Sequence, residues 1–169
     1  IAYRLARKNA FIEIGNLMAS FQRMAQEPKS KQKQLPQVYK LAVLNHSLLS
    51  SLASLGTYIQ SHKTTTASEA FNIVVNTAIR NLDNAIAILK ENNLEFKENI
   101  PQKDLGMRFT ELKSIREKEL KEGIPIDEKA FQLKMQEAQL VIEQLIWLTN
   151  LSENILKTTK LLMKPESQN

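Results

Sequence analysis

Not one cysteine occurs among the 169 residues. Its absence excludes a disulfide framework, a thiolate nucleophile and any zinc site built on sulfur, and it fits a reducing compartment. Glycine and proline are scarce, at four and five residues, and aromatics make up only 6 %. So few breakers and rings favour long helices over a sandwich of short strands. No apolar run reaches the roughly 18 residues that a bilayer span needs, and no signal peptide is visible. The two histidines, His46 and His62, stand sixteen residues apart on one expected helix, more than four turns, so they cannot share a metal ion. Neither belongs to the Glu-x-x-His arrangement of di-iron bundles. Phosphate loops, serine-nucleophile motifs and calcium loops are missing too. The adjacent acids of Glu-Gly-Ile-Pro-Ile-Asp-Glu read as a helix N-terminal charge pattern. The expectation is a non-enzymatic chain without metal or cofactor.

What is present is helical periodicity. Apolar residues form 43 % of the chain, enough for one domain over residues 1–169 with a sizeable core. The chain opens at Ile1 in mid-pattern and is expected to be a piece of a longer protein. Tyr3, Ala10, Ile14, Leu17, Phe21 and Met24 alternate in steps of three and four, with Arg7 at the one polar position and Phe11 and Met18 broadening the stripe. This predicts a helix from Tyr3 to Glu27, stopped by Pro28, which lacks a backbone donor and disfavours helix in the residue before it. A polar hinge, Lys29 to Leu35, follows. Phe21 and Met24 should then face the Leu41 to Leu48 part of the second helix.

The second helix opens near Pro36, with Val38, Leu41, Asn45, Leu48, Leu52, Leu55 and Ile59 on its seam. Thr66 or Ser68 can cap the third, Ala67 to Glu91, whose seam reads Val75, Ile79, Leu82, Ile86 and Leu89. A weaker amphipathic segment, Asp104 to Glu122, carries few apolar anchors (Leu105, Phe109, Leu112, Ile115) and closes at Gly123 and Pro125. The last helix, capped by Asp127, runs to Met163 on Phe131, Met135, Ala138, Ile142, Leu145, Leu148, Ile155, Leu156 and Leu162. The predicted fold is all-α: an antiparallel bundle of four long helices plus a shorter peripheral helix, packed up-down-up-down.

Several polar residues interrupt these faces. Asn45 on a seam reads as a register-fixing residue. Asn76, Arg80, Asn81 and Asn84 form a stripe on the third helix, read as its solvent side, with a ligand- or partner-binding face as the sharper alternative. Trp147 lies off the seam beside Leu140 and Leu151. That extra apolar stripe either buries against segment 104–122 or meets another subunit. Charge is uneven as well. Residues 1–63 hold nine bases and two acids, whereas 64–169 hold fourteen and sixteen. The bases gather at the start and in the hinge (Lys29, Lys31, Lys33) without interleaved aromatics, so no nucleic-acid partner is expected.

The start Tyr-Arg-Leu-Ala-Arg-Lys-Asn-Ala and the later Phe-Gln-Arg-Met-x-x-Glu-Pro resemble the cytosolic C-terminal domain of fusaric-acid-resistance-like (FUSC) bacterial inner-membrane proteins of the YccS/YhfK type. The matching positions are Tyr3, Leu5, Ala6, Arg7, Arg23, Met24, Glu27 and Pro28. Arg-Asn-Leu-Asp-Asn-Ala-Ile-Ala-Ile-Leu and Val-Ile-Glu-Gln-Leu-Ile-Trp-Leu-Thr-Asn-Leu-Ser-Glu-Asn-Ile are similar to the family's later helices, by looser motifs, and residues 95–125 show no family pattern. The resemblance implies the cytoplasmic side of a bacterial inner membrane, in a transport protein proposed in some members to export aromatic acids. It implies two partners, the rest of the membrane protein and anionic lipid headgroups near Arg4, Arg7 and Lys8; a second copy in a homo-oligomer is the further partner that the Trp147 stripe allows. The rival expectation, from the residues alone, is a free-standing helical adaptor or small-ligand-binding module.

Overall fold

The computed structural model describes residues 2–61, 69–91, 102–123 and 126–163. Five helices carry the chain: α1 (Ala2–Gln26), α2 (Leu35–Ser61), α3 (Glu69–Glu91), α4 (Gln102–Glu122) and α5 (Glu128–Met163). A 3₁₀ turn, Lys29–Lys31, lies in the α1–α2 hinge, and no strand occurs among the described residues. The fold is an all-α antiparallel bundle. The expected caps at Thr66 or Ser68, and Pro125, fall outside the described residues.

The helix ends follow from local chemistry. At Pro28 the α1 ladder stops, and Gln32 folds back to satisfy the orphan carbonyls. Its Nε2 donates to Ala25 O at 2.8 Å and to Glu27 O at 2.7 Å. Gln34 then takes a left-handed conformation, φ 57°, and its carbonyl accepts the first α2 bonds from Gln37 N and Val38 N. The chain thereby reverses. Phe21 and Tyr39 meet across the reversal with ring centroids 5.0 Å apart, while at the far end Tyr3 Oη donates to Leu52 O at 3.4 Å. Phe21 thus reaches the start of α2, slightly before the Leu41 to Leu48 stretch. Asp127 caps α5 as its sequence predicts, Oδ1 accepting from Ala130 N at 2.7 Å.

Packing centres on α5. Its 36 residues extend about 54 Å, and α2, α3 and α4 all lie against it. The core is built from Leu41, Leu48 and Leu55 of α2, Val74, Ala85 and Ile88 of α3, and Leu145, Leu148, Leu151, Ile155 and Leu156 of α5. Helices α2 and α3, adjacent in sequence, share α5 rather than a broad mutual face. Helix α4 packs on both α3 and α5, and Phe109 and Leu112 reach the core. Its few apolar anchors are supplemented by surface ion pairs within the helix: Arg108–Glu111 at 2.9 Å, Arg116–Glu119 at 3.0 Å and Lys121–Glu117 at 2.7 Å. Exposed pairs of this kind add little to stability individually. Helix α1 is the outlier. It packs on α2 and contains no buried residue.

Two seams differ from the sequence reading. On α2, Leu41, Leu48 and Leu55 are buried, whereas Leu52 and Ile59 are exposed. Asn45 sets no pairing across helices, because its Nδ2 donates to Leu41 O one turn back at 2.8 Å. On α3 the buried residues are Ala70, Val74, Thr77, Asn81, Asn84, Ala85 and Ile88, while Ile79, Ile86 and Leu89 are exposed. The burial axis is rotated away from the apolar stripe. The reason lies opposite, where α5 presents Thr149, Ser152 and Thr159, all buried. Small side chains let two helices approach closely. Thr77, Thr149 and Thr159 satisfy their hydroxyls on the carbonyls of Ile73, Leu145 and Ile155, each one turn back, so burying them costs little.

Candidate functional site

Among the described residues, side chains that could do chemistry do not converge. His46 is exposed on α2, and His62 lies outside the described residues. No group of three His, Asp or Glu side chains able to hold a metal occurs among the described residues. A depression on α4, lined by Ser114, Glu117, Lys118, Lys121 and Glu122, is open to solvent. Its charges are spent on one another: Lys121 Nζ holds Glu117 Oε1 at 2.7 Å, which keeps that carboxyl below its ordinary range. Near the end of α2, burial raises the Tyr58 phenol above its ordinary value, with Glu137 adding to the shift and Arg116 opposing it.

The expected solvent stripe of α3 divides. Asn76 is exposed and Arg80 half-buried, but Asn81 and Asn84 are buried. Asn81 Nδ2 donates to Ser152 Oγ at 3.0 Å, and Ser152 Oγ donates onward to Thr149 O at 2.7 Å. This chain ties α3 to α5 through the core. Asn84 Nδ2, Thr158 Oγ1 and Gln37 Oε1 are buried with no hydrogen-bond partner. Such orphaned groups cost about 1–3 kcal/mol each.

The motif residues lie along α1 and its stop. Met24 is half-buried, while Tyr3, Arg7, Arg23, Glu27 and Pro28 are exposed. Arg23 Nη2 bonds Ser20 Oγ at 3.0 Å rather than reaching forward to Glu27. Arg7 sits over the Tyr3 ring, 6.0 Å from its centroid, a weak cation–π contact at an exposed site. Tyr3 itself lies across Gly56, where an added Cβ would come within 2.6 Å of its hydroxyl. Arg4 and Lys8 are exposed alongside Leu5, Phe11 and Ile12. Phe11, expected to broaden the apolar stripe, therefore faces outward. The first three turns of α1 present bases and large apolar side chains together.

A second surface was less legible in the sequence. Leu133, Leu140, Trp147 and Leu161 of α5 are 58, 62, 51 and 53 % exposed. They recur at multiples of seven residues, with exposed Asn154 at the remaining position. Helix α4 does not bury Trp147, so the first of the two expectations for the extra stripe fails. No helix of the described residues is long and apolar enough to cross a membrane. Comparison with family models, curated proteins and solved structures finds no match.

Proposed function

We propose that this chain is the cytosolic helical domain of a bacterial inner-membrane protein of the FUSC type, acting without catalysis. It serves the assembly or gating of a transport protein through helix–helix contacts, on the cytoplasmic side. The transported molecule, an aromatic acid in the reading the resemblance favours, would pass through membrane segments outside this chain. The single observation that carries the reading is α1, a 25-residue helix without a buried side chain. A helix that packs on one neighbour and carries Arg4, Arg7 and Lys8 beside Leu5, Phe11 and Ile12 suits a connection leaving a membrane span. Its bases would meet anionic headgroups, each contributing on the order of 1 kcal/mol within a Debye length of about 8 Å. The apolar neighbours add a second attachment signal, which stable surface binding requires.

The test is co-sedimentation with vesicles, anionic or neutral, at low and at physiological salt. Native chain should sediment with anionic vesicles, less so at higher salt, and the triple variant Arg4→Glu/Arg7→Glu/Lys8→Glu should remain in the supernatant. Equal sedimentation of both would remove the membrane-proximal role. Tight, sequence-selective DNA binding in a parallel assay would place the chain in another class.

A further inference from the structure

We propose that α1 is a releasable arm: an anionic lipid surface and α2 compete for the same apolar stripe of α1, so that full membrane attachment lifts this helix off the bundle. The inference rests on the membrane-domain reading above and adds how that contact is regulated. Ala10, Ile14, Leu17, Met18, Phe21 and Met24 are the half-buried apolar residues of α1, and α2 is the helix that holds them. At about 100° per residue, Leu5 and Ile12, each two places from a stripe position (Tyr3 and Ile14), fall on the opposite side. They are 57 and 50 % exposed. A docked α1 therefore offers a lipid surface two large apolar side chains on that side, enough for a first contact. An interfacial helix inserts a continuous apolar face edged by bases. On α1 that face is the stripe now turned toward α2.

Charge names the competitor. Arg4, Arg7 and Lys8 precede the first acid of the helix, Glu13, so this end complements an anionic surface. Arg7 lies within the stripe and Arg4 at its edge, and long basic side chains reach headgroups while their stems stay in apolar surroundings.

The docking to be displaced is slight. No residue of α1 is buried. At its N-terminal end the attachment narrows to Tyr3, whose hydroxyl donates to Leu52 O at a long 3.4 Å and whose ring lies across Gly56. Beneath α1 lies a face of α2 separate from the core. Ala42 and Leu49 are buried yet stand outside the core cluster, and seven-residue steps place them on the side of Gly56 that Tyr3 covers. Release of α1 would uncover them. Because the two contacts exclude each other, whatever fixes α1 to α2 weakens lipid binding, and lipid loosens the docking to the same degree.

The absence of cysteine makes an introduced thiol pair unique. A short bis-maleimide bridge in Tyr3→Cys/Gly56→Cys would hold α1 on α2. The bridged chain should co-sediment about tenfold or more weakly with phosphatidylglycerol–phosphatidylcholine vesicles than the same variant with both thiols capped, since only the released arm is competent. Helical circular dichroism should be unchanged. Gly56→Ala, whose Cβ would meet the Tyr3 hydroxyl at 2.6 Å, loosens the docking and should bind more tightly than the native chain. A water-soluble maleimide should label Ala42→Cys faster on these vesicles than on pure phosphatidylcholine. Equal binding by bridged and capped chains would overturn the competition and leave the membrane-domain reading standing, as would an Ala42→Cys rate that bound vesicles do not change. If neither the native chain nor any variant sedimented with anionic vesicles, both readings would fall.

Discussion

At the residue scale, Ile88 and Leu89 are neighbours on α3 with opposite surroundings. Ile88 is fully buried, and Leu89 is 51 % exposed. Ile88→Ala should destabilise by about 2–5 kcal/mol, through lost transfer energy and a residual cavity. Leu89→Ala should stay within about 0.5 kcal/mol, like other surface changes. Urea midpoints at constant slope measure both, and equal shifts would contradict the α3 burial axis. Spacing alone puts Leu89 on the seam with Ile79 and Ile86, and leaves Asn81 and Asn84 to solvent. Apolarity is what periodicity counts, and here it misleads, because the facing stretch of α5 is lined by threonine and serine. A threonine bonding its own helix and an asparagine bonding Ser152 can be buried without an apolar side chain. That complementarity lies 71 residues away in the chain, beyond any local window.

For the elements, the sequence was more generous. The number of helices, the stop at Pro28 and the Asp127 cap are all local chemistry, and local chemistry is what a sequence displays. Even α4, poor in apolar residues, forms where its weak pattern placed it, supported by its own ion pairs. How tightly each helix is held was not displayed, and α1 shows why. Its seam is as regular as that of α2, yet it meets one partner, so the same pattern yields half-burial. Gly56 tests this attachment. Mid-helix glycine costs about 0.5–1 kcal/mol relative to alanine, so Gly56→Ala should strengthen α2. The new Cβ would also displace the exposed Tyr3 ring. Global stability should therefore change by less than about 1 kcal/mol, while amides in the first turns of α1 exchange faster. Unchanged exchange there would mean that Tyr3 does not hold α1 down.

Across the whole molecule, protection from exchange should follow the packing rather than the length of each helix. Amides within residues 145–156 of α5, flanked by core side chains from α2 and α3, should open only with global unfolding. Those of α1 should open at lower free energy, since solvent-exposed helices with few buried contacts form the least stable units. Native-state hydrogen exchange across a denaturant series reads both. If α1 and α5 opened together at every denaturant concentration, α1 would be part of the cooperative core after all.

The central place of α5 also has a consequence for biosynthesis. Helix α5, which completes the core, is translated after α2, α3 and α4, which pack against it. Leu41, Leu48, Val74 and Ile88 must await a partner not yet made. At about 5–20 residues per second, its 36 residues take roughly 2–7 s to polymerise. Until then only pairs adjacent in the chain, α1 with α2 and α3 with α4, are able to settle on the ribosome. The remaining apolar faces stay open to whatever chaperone or membrane surface is nearest. The core therefore closes late, when α5 packs against the waiting helices.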